Sequence, residues 1–106
     1  MILEVSKLKI RPGKNGEFER EVASAAPIFA AAEGCRSARL LRVEEDPESY
    51  LLLVEWDSLE DHTVTFWSSD GFRQWRQKVG EFFSEPARIE HATDGLTILA
   101  EADASA

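Results

Sequence analysis

The segment from Tyr50 to Trp56 constrains the fold of this chain more than any other, because apolar residues occupy both faces of the predicted β-strand. Side chains alternate between the two faces of a strand. The two alternating sets are Tyr50, Leu52, Val54 and Trp56, and Leu51, Leu53 and Glu55. An antiparallel sheet usually leaves one face to water, so we expect helices to cover one face and the sheet of a second copy to cover the other. The strand therefore predicts a homodimer, which would also stabilise a chain of only 106 residues.

The rest of the chain switches between strand-like and helix-like patterns. Strands are predicted over residues 2–10, 36–43, 50–56 and 87–93. Apolar residues spaced by three and four predict one helical region over residues 16–34 and a second, in two pieces, over residues 58–85. The resulting order, βαββαβ, is that of an α+β, ferredoxin-like fold with an antiparallel sheet.

Three residues mark boundaries within the helical regions. Pro27 removes a backbone donor and crowds the preceding turn, so it predicts a kink or a break near Ala23–Ala26. Gly34 suits the C-terminal cap of the first region. Ser58, followed three residues later by Asp61, is a variant of the capping box and predicts the start of the second region.

Domain organisation is simple, since the chain has room for one core. Residues 1–94 are predicted to form the domain. Residues 95–106 are predicted to be an extension in which Leu96–Leu99 docks as a short strand and Glu101–Ala106 is a loose tail.

Charge and cysteine content exclude several classes of function. A net charge of -8 and an isoelectric point near 4.7 argue against nucleic acid and anionic membranes as partners, because both need clustered Lys and Arg. Cys35 is the one cysteine, which excludes an internal disulfide and a cysteine-rich zinc site. The N-terminus has no basic stretch followed by a long apolar run, and no segment is apolar enough to span a membrane. We expect a cytoplasmic protein.

Several short motifs carry a resemblance to a known family. They are Glu55–His62, Ser69–Phe72, Glu81–Pro86, and Arg11–Gly13 together with Phe18. With the order of elements, they make residues 2–93 similar to the antibiotic biosynthesis monooxygenase (ABM) family. The resemblance implies a homodimer in which two sheets pack face to face, a dimeric α/β-barrel. It also implies oxygen chemistry without a cofactor in some members and haem cleavage in others.

The resemblance does not extend to the residues that the haem-degrading branch of the family uses. That branch uses an Asn on the first strand, a Trp in the second helical region and an axial His on the following helix. Ser6, Phe66 and Arg76 stand at those positions here. We therefore expect no haem, and no cofactor or metal of another kind, because the sequence also has no metal-spaced ligand set, phosphate-binding loop or dinucleotide fingerprint.

Oxygenation of a phenol or quinol without a cofactor needs a base for the hydroxyl, a partner for the developing anion and an apolar wall. His62 is the predicted base, because an imidazole titrates near neutral pH. The predicted substrate-binding residues are Ser6, Phe66, Phe72, Trp75 and Arg76. These residues also have a purely structural interpretation: His62 could be a helix-surface residue, and the aromatic residues could fill the core. The other histidine, His91, is interpreted as a surface or interface residue.

Two functions follow from these observations. The first is a cofactor-independent monooxygenase that acts on a small aromatic phenol or quinol. The second is a non-catalytic dimeric module that binds a small apolar ligand or serves a partner protein on the same scaffold.

Overall fold

A computed structural model describes residues 1–102 as one four-stranded antiparallel sheet with helices on one face. The strands are β1 (Ile2–Lys9), β2 (Cys35–Arg42), β3 (Ser49–Trp56) and β4 (Arg88–Ala92), in the spatial order β2-β3-β1-β4. The helices are α1 (Asn15–Ser24), α2 (Ala26–Ala31), a π-helix (Asp61–Phe66), α3 (Asp70–Val79) and a 3₁₀ turn (Gly80–Phe82). The predicted ferredoxin-like α+β fold is confirmed.

Strand β3 lies between β2 and β1 and forms the centre of the core. Its helix-facing side chains, from Tyr50 to Trp56, are at most 5% exposed. The opposite set is half-buried, and in the register of the sheet Leu53 stands beside Val5 and Leu51 beside Leu41. No helix of residues 1–102 covers this second face, so the sheet of the single chain is open. Its covering by a second copy stays a prediction.

Of the kink or break predicted near Ala23–Ala26, the structure has the break. Helix α1 ends at Ser24, and α2 begins at Ala26 with Pro27 in its first turn. The first turn of a helix has backbone donors without intrahelical partners, so the missing donor of proline costs nothing there. The second helical region also divides as predicted, because the Ser69 hydroxyl accepts a hydrogen bond from the Phe72 backbone at 3.1 Å and caps α3.

The prediction that Gly34 caps a helix is wrong. Helix α2 is capped by Ala32, whose backbone is already extended. Gly34 lies two residues further on, in the turn that leads into β2, with a φ of 76°. A side chain at this position would collide with the carboxylate of Asp61. The glycine is therefore required by the turn and by the approach of the π-helix.

We expect Gly34→Ala to destabilise the protein by about 2 kcal/mol or more, because a left-handed backbone conformation and a steric clash add together. Urea unfolding measures the change. Gly80→Ala is the matched control, since Gly80 has a helical backbone and open space around it. Equal stabilities of the two variants would contradict the prediction.

The C-terminal extension differs from the expectation. Leu96–Leu99 forms no strand, and Leu96, Ile98 and Leu99 are 89%, 94% and 89% exposed. Apolar composition favours a strand, but a strand also needs a hydrogen-bonded neighbour, and the sheet pairs nothing to this segment. Of the predicted tail, residues 103–106 lie outside the described residues. None of the helices in residues 1–102 is long and apolar enough to cross a membrane.

Candidate functional site

A cavity of about 280 Å³ lies between the helix-facing side of β1 and the helices after β3. All six residues predicted for the site line it: Ser6, His62, Phe66, Phe72, Trp75 and Arg76. Its other walls are mainly aliphatic and aromatic, and they include Leu8, Trp67 and Ile89. Residues that are far apart in the sequence therefore share one apolar space.

The π-helix places His62 in this cavity. The Ser58 hydroxyl accepts a hydrogen bond from the Asp61 backbone at 3.2 Å and caps the helical turn that leads into the π-helix. In a π-helix the backbone bonds join residues five apart, and here Trp67 N–H donates to the His62 carbonyl at 3.1 Å. The same geometry brings the two side chains together, so that Trp67 Nε1 donates to His62 Nε2 at 3.1 Å. An α-helix pairs residues three or four apart and would separate these two.

The His62 imidazole is buried, with 3% of its surface exposed. It stacks on the Trp56 indole at a centroid distance of 5.0 Å and an interplanar angle of 14°. Burial, with a smaller effect from His91, lowers the pKa of His62 to about 4. Because a charged imidazole is poorly solvated here, His62 is uncharged at neutral pH.

Glu4 lies beside His62 on strand β1 and is 5% exposed. Its carboxylate accepts hydrogen bonds from Ser6 Oγ at 2.6 Å and Trp56 Nε1 at 3.1 Å, and Glu4 Oε1 is 3.2 Å from His62 Nε2. Burial raises the pKa of Glu4 despite the opposing effect of these donors. The last distance is that of an ion pair, yet both pKa shifts favour the uncharged forms. We therefore describe this approach as a close polar contact and not as a salt bridge.

His91 completes the polar cluster. It lies on β4 directly opposite Glu4 and is half-buried. Its Nε2 is 2.8 Å from His62 Nδ1. Of the surface or interface position expected for His91, a free surface position does not hold, because the register of β4 turns its ring toward His62. Glu4, His62 and His91 thus form a continuous row of polar contacts.

The remaining predicted residues divide between the interior and the rim. Phe66 and Trp75 are buried, and both pack on Phe29, so they belong to the core as well as to the cavity. Phe72 is half-buried, and the exposed Arg76 lies over its ring at 5.9 Å. Arg76 makes no ion pair within residues 1–102. The cavity therefore has a cation at its rim that is free to meet an anion.

Sequence reasoning missed Glu4 and interpreted His91 as a surface or interface residue. A signal for Glu4 was present: it is in phase with Ser6, Leu8 and Ile10, so it lies on the strand face that burial of Leu8 and Ile10 would turn to the core. No local signal could have found the contact of His91, which depends on how β4 pairs with β1.

The polar cluster is poorly suited to bind a metal ion or a haem iron. In residues 1–102 no group of three or more His, Cys, Asp or Glu side chains is arranged to hold a metal ion. Both ring nitrogens of His62 are engaged, one by Trp67 and Glu4 and the other by His91. A haem ligand needs a free imidazole nitrogen, so His62 does not fit that role in this arrangement.

Comparison with known proteins agrees with the resemblance of the motifs. The family model for antibiotic biosynthesis monooxygenase matches residues 1–78. The chain belongs to this family. The ABM relatives include the uncharacterized protein YczJ of Bacillus subtilis (strain 168), which is 36% identical over 94 residues, 89% of this chain and 99% of that protein.

Solved structures with this ABM fold include a Bordetella bronchiseptica protein proposed to be an antibiotic biosynthesis monooxygenase. It is 39% identical, with a TM-score of 0.87 over 90% of this chain and 97% of that one. SnoaB, a cofactor-independent oxygenase from Streptomyces nogalater, is 20% identical, with a TM-score of 0.76 over 92% and 95% of the two chains. At that identity the likeness to SnoaB concerns the fold.

Proposed function

We propose that the protein is a cofactor-independent monooxygenase that oxidises a small aromatic phenol or quinol with dioxygen. One observation carries the proposal: a neutral histidine, backed by a buried carboxyl group, faces an apolar cavity lined by aromatic side chains. Membership of a family that includes a cofactor-independent oxygenase supports the reaction class. His62 is the proposed catalytic base.

The hydrogen bond from Trp67 to His62 suggests where a substrate hydroxyl would bind. Trp67 is 40% exposed at the edge of the cavity, and its Nε1 donates to His62 Nε2. A phenolic O–H is a donor of the same kind, so it can replace the indole N–H at that nitrogen. The volume of about 280 Å³ limits the ring system. Since a cavity of about 150 Å³ holds benzene, two fused rings are the expected size.

The reaction balances without a cofactor. His62 Nε2 accepts the hydroxyl proton, and the phenolate supplies the electrons that reduce dioxygen. A C–O bond forms at a ring carbon, and one proton returns through His62 to the outer oxygen to give a hydroperoxide. The O–O bond then breaks as that carbon loses its hydrogen, which yields a ring carbonyl and one water. The apolar wall of Phe66, Phe72 and Trp75 would keep bulk water from the phenolate.

The same proposal takes the protein to act as a homodimer in the cytoplasm. The uncovered apolar side chains Val5, Leu51 and Leu53 on the open face of the sheet support a second copy. A lone free cysteine, Cys35, suits a reducing compartment. Light scattering that gave a monomer of 11.9 kDa at micromolar concentration would argue against the dimer.

Oxygen uptake with a panel of phenols and quinols of one to three rings tests the function. With ¹⁸O₂ we expect one labelled oxygen atom in the product and one in water, and the highest kcat/KM for two-ring compounds. If the panel raises the melting temperature but every compound is recovered unoxidised, the non-catalytic binding module is the correct function instead.

Arg76 should discriminate between substrates by charge. We expect Arg76→Gln to raise KM about five-fold for phenols that carry a carboxylate, because a partly exposed ion pair contributes about 1 kcal/mol. Uncharged phenols should keep their KM. The matched control is Arg73→Gln, since Arg73 lies on the same helix but is paired with Asp70. Equal effects on charged and uncharged phenols would contradict the role of Arg76.

A further inference from the structure

We infer that His91 is the proton exit of the cavity: the proton of a bound hydroxyl passes to His62 and, from the other side of that ring, to His91 and then to solvent. The inference rests on the proposed function, in which the ligand donates a hydroxyl hydrogen bond to His62. His91 does not line the cavity. It would therefore be a positioning and relay residue that acts through His62.

The hydrogen bonds fix the direction of the relay. An indole N–H can only donate, so the contact from Trp67 makes His62 Nε2 an acceptor. A neutral imidazole carries one proton, which must then lie on Nδ1. His62 Nδ1 is 2.8 Å from His91 Nε2, so the proton on Nδ1 points to His91, whose Nε2 accepts. The two rings are thus set to move a proton outward.

The relay explains how His62 can act as a base although its own pKa is low. A buried imidazole whose pKa is about 4 is a poor place to leave a proton taken from a phenol, because the pKa of a phenol is about 10. If Nδ1 releases its proton as Nε2 gains one, His62 never becomes a buried cation. The positive charge appears instead on His91, which is half-buried.

His91 lies between the buried cluster and the exposed positions of β4. Glu4 faces it from β1, where the two residues are paired in the register, and His62 faces it from the π-helix. The neighbouring charged residues of β4, Arg88 and Glu90, lie on strand positions that are exposed. The row therefore runs from a dry interior to a place where water can accept the proton.

Each transfer is balanced. The ligand O–H bond breaks and an N–H bond forms at His62 Nε2. The Nδ1–H bond of His62 breaks and an N–H bond forms at His91 Nε2, after which His91 loses its Nδ1 proton to water. No electrons change hands in these steps. The same path run backwards returns one proton to the reduced oxygen and restores the starting tautomers.

The kinetic test compares His91→Ala with wild type in oxygen uptake. We expect kcat to fall about 100-fold, the lower end of what general acid–base groups contribute, with KM unchanged because His91 does not touch the cavity. Imidazole in the buffer should restore kcat, and substituted imidazoles should do so in the order of their basicity. Glu90→Gln, on the adjacent exposed position of β4, is the control and should behave as wild type. A His91→Ala enzyme with wild-type kcat overturns the relay.

A second test needs no substrate. Nitrogen NMR of the ¹⁵N-labelled, ligand-free protein reports the tautomer of each ring. We expect His62 to be protonated on Nδ1, with a scalar coupling to His91 Nε2 across the hydrogen bond. His62 protonated on Nε2, or no coupling, overturns the relay even if phenols are oxidised. If no phenol is oxidised, the proposed function fails, while the tautomers and the coupling still decide whether the relay geometry is correct.

Discussion

Replacing His62 with Gln is expected to lower the kcat of phenol oxidation about 100- to 10,000-fold, which is the usual range for loss of a general base. Glutamine keeps a polar side chain of similar reach in the buried position, but its amide cannot accept and pass on a proton at neutral pH. Folding should be retained, because Trp56 and Phe66 still pack on the substituted side chain. Oxygen uptake with the two-ring phenol that wild type oxidises fastest measures the effect.

Val64→Ala is the matched control for this variant. Val64 is in the same π-helix and is 61% exposed, so its truncation should change neither the cavity nor the rate. Circular dichroism and melting curves of both variants show whether the helix is intact. A His62→Gln protein that consumes oxygen at the rate of wild type would remove His62 from the mechanism and leave Glu4 as the remaining acid–base group in the cavity.

The fold could be predicted from local patterns because the patterns and the tertiary structure agree. Strand β3 is apolar on both faces and lies in the middle of the sheet, where its helix-facing side is buried. Pro27 and Ser69 act through their own backbone geometry and hydrogen bonds, so their effects on α2 and α3 needed no tertiary information. The strand predicted over Leu96–Leu99 does not form, because a strand requires a hydrogen-bonded partner that local composition does not specify.

The polar cluster could be predicted only in part, for a physical reason. The six predicted residues share a cavity because Ser6 lies on the helix-facing side of β1 and the other five lie on the cavity-facing side of the π-helix and α3. The contact of His62 with Trp67 depends on a π-helix, whose five-residue spacing is masked by the α-helical spacing of the aromatic residues around it. The contacts of His62 with Glu4 and His91 join three elements separated by 58 and 29 positions, so they are set by strand pairing and helix docking.

Acid should destabilise the protein through His62 by about 3 kcal/mol between pH 7 and pH 4. The pKa of His62 is about 4 in the folded protein against an ordinary value of 6.5, and each pKa unit corresponds to about 1.4 kcal/mol. Below pH 6.5 the unfolded chain binds a proton that the folded protein does not, so stability falls as the pH drops toward about 4 and this contribution then levels off. Urea unfolding of wild type and His62→Gln across this range measures the difference.

Glu4 acts with the opposite sign and must be separated from His62. Its pKa is raised in the folded protein, so its uncharged form stabilises the fold at low pH and this contribution is lost as the pH rises through the raised pKa. In Glu4→Gln that gain on acidification is absent, and we expect a larger loss of stability toward pH 4 than in wild type. His62→Gln should lose less than wild type. Carboxylates elsewhere titrate alike in all three proteins and cancel in the comparison. Identical pH dependence in wild type and His62→Gln would mean that His62 accepts a proton in the folded state, and the lowered pKa of His62 would be wrong.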